Sequence, residues 1–155
     1  MTITTDIEVF DRVADHLLSQ GKRSTDRNGC LYRTEDGLRC AVGCLISDEY
    51  YSELLERHDV HEGVVARAVA ASLPSWDHDF DEVHSKSKKM LELLQSLHDS
   101  MSIEYWEVAI ETYRDMIFVE EELDLYEVQE ALMIPEDCWS KVKKHKDGKN
   151  GKLHP

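Results

Sequence analysis

Ile7, Phe10, Val13, Ala14, Leu17 and Leu18 recur at helical intervals, with Thr5 and Glu8 ahead of them at the spacing of a capping box. This pattern predicts a first amphipathic helix that ends at Gly21. A polar, turn-rich stretch over residues 22–29 leads into Cys30-Leu-Tyr-Arg33, then Asp36-Gly37, then Leu38-Arg-Cys-Ala-Val42. Asp-Gly accepts the positive φ that a tight hairpin needs, so two short strands near residues 30–42 are predicted. A lone hairpin is marginal in water, and Leu31, Leu38, Val42, Leu45 and Ile46 are expected to pack it on the first helix.

Downstream the period is helical throughout. Ser47 reads as the N-cap of a helix carrying Tyr50, Tyr51, Leu54 and Leu55, and residues 62–73 read as a second short helix stopped by Pro74. Val83, Ser87, Met90, Leu91, Leu94 and Leu97 mark one face of a long helix ending near His98-Asp99. Ser102 is placed to cap the next, with Ile103, Trp106, Ile110, Tyr113 and Ile117 on its apolar face. Asp124 and Glu127 have capping-box spacing for a further helix, and Pro135 suits the first turn of a last one. The fold expected is α+β, mainly α: one compact domain over residues 1–145, with a hairpin-containing part (1–75) and a helical part (80–145). Residues 146–155 read as a flexible basic tail.

With 155 residues, 41% of them apolar, the chain is long enough for a real core. No stretch is long and apolar enough to span a membrane, and the N-terminus lacks the pattern of an export signal. A cytoplasmic setting follows as the expectation, with the four cysteines kept as thiols. Charge changes the picture more. The net charge is −14, yet six lysines and one acid lie in residues 140–155; the 139 residues before them carry 12 basic and 31 acidic side chains, a net −19. Direct binding to nucleic acid is not expected of such a body, whereas a partner with a basic surface is.

The chemistry-bearing residues form no reaction signature. Cys30, Cys40 and Cys44 lack the paired spacing of a zinc ribbon, and a fourth ligand would have to come from His16, His58, His61 or His98. Small buried fillers are the plainer reading of these cysteines, with a Cys/His metal-binding or thiol-dependent regulator or enzyme centred on Cys40 and Cys44 as the alternative. His58-Asp59 and His98-Asp99 look like dyads, but helical neighbours diverge, and each reads as a His at a helix C-terminus. No catalytic residue, metal ligand or cofactor is therefore assigned. The acidic groups are the stronger signal: Asp77, Asp79, Asp81 and Glu82 form one, and Glu120, Glu121, Glu122 and Asp124 another. They are the candidate partner-binding residues, since spaced carboxylates resemble a row of phosphates to a basic groove. Lys22, Arg23, Arg27, Arg33 and Arg39 form a contrasting basic strip suited to self-association as a homodimer or to a second contact.

The run Cys30-Leu-Tyr-Arg33, Asp36-Gly-Leu-Arg-Cys-Ala-Val-Gly-Cys-Leu-Ile46 and Asp48-Glu-Tyr50, with Phe10-Asp-Arg-Val13 before it and Leu94-Gln-Ser-Leu-His-Asp99 and Trp106 after it, resembles small uncharacterised phage and prophage proteins. That resemblance implies a phage setting within a host cytoplasm and a shared fold over residues 7–110, but no catalytic residues. The function expected is non-enzymatic: binding and modulating a host or anti-phage defence protein, as an inhibitor or DNA mimic acting in counter-defence.

Overall fold

The structure, a computed structural model, describes residues 2–119. Helix α1 spans Asp6–Gln20. At its start, the Thr5 hydroxyl accepts the Glu8 N–H, and the Glu8 carboxylate reaches back to Thr4 N–H and both threonine hydroxyls. Those bonds hold Glu8 below the usual carboxylate range, with the hydrogen bonds from the Thr4 and Thr5 side chains leading. Gly21 closes the helix at φ 62. Helix α2 (Gly63–Ser72) ends ahead of Pro74, and α3 (Lys86–Ser100) is capped by Ser85, whose hydroxyl accepts the Lys88 N–H. Helix α4 (Trp106–Arg114) follows a 3₁₀ turn and runs into a π-helical turn, Asp115–Val119.

The fold is mainly helical α+β, but its strand ladder sits upstream of the Asp36-Gly37 turn. Strands β1 (Thr25–Asp26) and β2 (Gly29–Cys30) pair antiparallel, and Asp26 organises their turn by accepting the Asn28 N–H. Around Gly37 the chain does turn back, at φ 91, yet only Arg33 and Arg39 bridge. The Tyr32 N–H, the next donor along such a ladder, is taken by the Glu56 carboxylate at 2.7 Å, which also accepts the outward Arg33 N–H at 3.1 Å. Beyond Cys40 the chain bends into a 3₁₀ turn, Gly43–Leu45. Gly43 lies so close to the Tyr32 backbone that a Cβ there would collide with its carbonyl.

Two further expectations move. Ser47 caps no helix: its carbonyl closes a single turn to Tyr50 and Tyr51, and its amide and hydroxyl face Ser72. The helical turn starts instead at Ser52, as the 3₁₀ segment Glu53–Arg57. Val83 precedes α3 and is 92% exposed rather than on the helix's buried face, and Ile103 is also exposed.

One core cluster runs from Ile3 to Met116, joining the hairpin-containing part to the helices. Helices α1 and α4 pack against each other and each against α3. Phe10, Val13, Leu17, Leu94, Leu97, Trp106 and Tyr113 are among its most enclosed members. Among the described residues no helix is long and apolar enough to cross a membrane. The helices expected from Asp124 and Pro135, and the tail, lie outside the described residues.

Candidate functional site

The two ends of α3 gather the chemistry-bearing side chains. At its C-terminus the orphan carbonyls meet a cation: Arg23 donates to the His98 carbonyl at 2.9 Å and to that of Met101. Beside it the His98 ring is fully buried, stacked on Trp106 with centroids 5.8 Å apart. Its Nε2 receives the Ser24 N–H at 3.0 Å, and its Nδ1 lies 2.8 Å from Asp99 Oδ1. An amide N–H can only donate, so Nε2 carries the lone pair and Nδ1 carries the proton it gives to Asp99. The adjacent pair does interact, contrary to the sequence expectation, because Asp99 stands in the last turn where its short side chain folds back onto the ring.

Asp99 is the hub. Gln95 Nε2 also donates to its Oδ1 at 2.8 Å, while Gln95 Oε1 accepts the Val42 N–H at 3.0 Å. Cys30 joins from β2, its sulfur within 4.8 Å of the His98 and Asp99 ligand atoms. Burial acts to raise the Asp99 pKa, but hydrogen bonds from His98, Cys30 and Gln95 outweigh it and the carboxyl sits below its ordinary value. The same contact works the other way on Cys30: burial, then the hydrogen bond to Asp99 and its charge, push the thiol up to about 12.

Cys30, His98 and Asp99 are thus a three-donor cluster of the kind that can hold zinc, and the fit fails at the ring. A metal on Nδ1 would leave the proton for Nε2, directly opposing the Ser24 N–H. Nε2 itself is occupied by that amide. Cys40 and Cys44 are bonded to the neighbouring backbone. Cys40 is buried and its sulfur accepts the Gly43 N–H, while the Cys44 thiol donates to the Ala41 carbonyl at 3.0 Å. Burial raises both pKa values, that of Cys44 to about 12 despite the opposing charges of Arg12 and Arg39. These are the settings of packed thiols.

Next to this cluster a cleft of about 460 Å³ opens between α3 and residues 56–61, with Glu56, His58, Glu92 and Asp99 among its walls. Glu56 is already committed, accepting two amides from residues 32–33 and the Tyr51 hydroxyl at 2.6 Å. His58 pairs with Glu62. The basic strip is likewise partly consumed: besides Arg23, Arg33 donates to Asp48 and to the Ile46 carbonyl and lies over the Tyr51 ring.

At the N-terminal end of α3 the first acidic group divides. Asp79 turns inward: its carboxylate accepts the Ser85 hydroxyl at 2.6 Å and the Lys86 and Ser87 amides at 2.9 Å each. Partial burial opposes ionisation there, but the bonds from Ser85, Ser87 and Lys86 prevail and hold the pKa at about 2. Asp77, Asp81, Glu82 and Val83 are exposed on the same loop. The loop is pinned at its base by buried Trp76 and Phe80. Trp76 Nε1 donates to Asp6 at 2.8 Å, as does the Ser87 hydroxyl at 2.9 Å. Glu120, Glu121, Glu122 and Asp124 lie outside the described residues.

Sequence reasoning singled out Asp79 for its charge and missed its capping role, although Asp79 stands six residues before Ser85 in a polar run. It missed Glu56 and Gln95 altogether, since nothing local marks a side chain that bonds a backbone 24 or 53 residues away. No known protein family, curated protein or solved structure matches this chain.

Proposed function

We propose that this chain is a non-enzymatic binding protein that modulates a host or anti-phage defence protein through a basic surface on that partner. The observation that carries the reading is the 77–83 loop, where Asp79 and Trp76 fix the base while Asp77, Asp81, Glu82 and an almost fully exposed Val83 are all left open to solvent. An exposed apolar residue and exposed carboxylates on one fixed loop have the make-up of an interface, in which the apolar side chain is desolvated and the charges steer an oppositely charged partner. The −14 net charge adds a long-range attraction of the same sign. The likeness of residues 7–110 to phage proteins supplies the setting, and acting in place of nucleic acid in a basic groove is the mode this charge suits.

Support for a binding role over an enzymatic one comes from the thiols and the imidazole. Cys30, Cys40 and Cys44 have raised pKa values, and both His98 nitrogens are taken by hydrogen bonds. The test is paired affinity capture from host lysate, using the full chain and a variant carrying Asp77→Asn, Asp81→Asn, Glu82→Gln and Val83→Ser. A host protein retained by the first and lost by the second is the expected result. Retention of the same proteins by both would remove this loop from the reading.

A further inference from the structure

A second cavity, about 440 Å³, lies between residues 2–3, α1, the 39–47 segment and the end of α2. Its walls differ in kind. Leu73 and Pro74 give it accessible apolar surface, with the core residues Leu45 and Ile46 also on its lining, whereas Arg12 from α1, Arg39 from the turn and Ser75 give it polar surface. Two guanidinium groups at one pocket are conspicuous in a chain of net charge −14. Both line the same cavity as Cys44.

Neither arginine is consumed by the fold. Among the described residues Arg12 has no ion-pair or hydrogen-bond partner. Arg39 reaches Asp48 only at 3.5 Å, and Asp48 is held at 2.7 Å by Arg33. Charge-assisted pairs close to about 2.7–2.9 Å when they form fully, so Arg39 retains donors to give. The serines, by contrast, are mostly satisfied. Ser72 donates to the Ala68 carbonyl, so in its 3.3 Å contact with Ser47 the hydrogen comes from Ser47. Recognition therefore falls to the guanidiniums.

We infer that this pocket binds a phosphomonoester, with Arg12 and Arg39 on the phosphate and the accessible surface of Leu73 and Pro74 against an apolar or ring-shaped body. One planar fork satisfies a carboxylate, while two forks from different elements suit the tetrahedral, doubly charged phosphate. The cavity is larger than an inorganic ion needs and falls in the range of small-molecule sites, roughly 300–1,000 Å³. A compound with phosphate at one end and an apolar portion at the other uses both walls. This site is separate from the 77–83 loop and stands whether or not that loop binds a protein.

Phenyl phosphate, inorganic phosphate and benzoate, each titrated into ¹⁵N-labelled full chain at fixed ionic strength, provide the test. Phenyl phosphate is expected to give saturable amide shifts at Cys44, Leu45, Ser47, Leu73 and Ser75, and to bind at least several-fold more tightly than the other two. Arg12→Gln and Arg39→Gln should each weaken it about tenfold or more, with Arg12→Lys retaining part. Arg12 is exposed on α1, so its variants keep the fold, which amide dispersion verifies. Shifts that do not saturate, that spread over basic residues away from the pocket, or that survive both Gln variants would overturn the assignment. So would equal binding of benzoate and phenyl phosphate, since the phosphate would then contribute nothing specific.

Discussion

Asp79 and Asp99 sit at opposite ends of α3, and each accepts three hydrogen-bond donors, yet they do opposite work. Asp79 faces the positive end of the helix dipole and takes up free amides there, which drives its pKa far down and leaves the rest of its loop pointing outward. Asp99 faces the negative end, where the dipole disfavours a carboxylate, and it is held by side chains instead: His98, Gln95 and Cys30. The first aspartate presents a surface. The second, itself at the surface, gathers the imidazole, amide and thiol into hydrogen bonds. Similar local chemistry thus yields an exposed acidic loop at one end and, at the other, a hydrogen-bonded cluster anchored on the buried His98 with Asp99 and Cys30 at the surface.

The largest expected effect breaks the His98 end. His98→Ala removes a fully buried ring, its stack on Trp106 and the acceptor for Ser24, and should cost about 3–5 kcal/mol in urea unfolding, the range for emptying an aromatic-sized site. A loss below about 1 kcal/mol would mean the ring is peripheral to the core.

At the presenting end, Asp79→Asn should cost about 1–2 kcal/mol, as loss of a helix cap does. The pH dependence has a definite sign. Asp79 titrates at about 2 in the fold against an ordinary 3.8, so its contribution is complete above about pH 4 and disappears as pH falls through about 2. Urea midpoints measured from pH 5 downward should therefore fall less steeply in Asp79→Asn than in the parent chain.

Cys30 sharpens the comparison through a rate. It is exposed, but with its pKa at about 12 the thiolate is scarce at neutral pH, and alkylation by iodoacetamide should run about tenfold or more slower than for an unhindered thiol. Asp99→Asn removes the charge and should speed the reaction several-fold. If Asp99→Asn leaves the rate unchanged, burial alone governs this thiol. The smallest effect on stability belongs to Asp77→Asn, Asp81→Asn and Glu82→Gln together, expected within about 0.5 kcal/mol because these side chains are solvated. A larger loss would show that they support the fold rather than a partner.

How much of this was legible in the sequence follows from range. Thr5, Glu8, Gly21, Pro74 and the period of α3 act within a turn or two of themselves, and each element they announce is present. The hairpin chemistry at Asp36-Gly37 was also read correctly as a turn, but Glu56 claims the Tyr32 amide that a longer ladder would use. Val83 satisfied the helical period by coincidence of spacing while lying before the cap. The Cys30, His98 and Asp99 cluster joins residues from β2 and the far end of α3, and the Arg12 and Arg39 pocket joins α1 to a turn. Neither leaves a local trace, because tertiary packing alone brings them together.

The central claim is that the acidity of the 77–83 loop serves association rather than solubility. It is tested most directly by the association rate between the full chain and any protein that affinity capture retains on it, measured at low and at physiological ionic strength. Exposed charges are screened within about 8 Å at physiological ionic strength, so the rate should fall as salt rises. Neutralising Asp77, Asp81 and Glu82 should flatten that dependence and slow association more than it hastens dissociation. Association that is indifferent to salt and to all three substitutions would contradict the account.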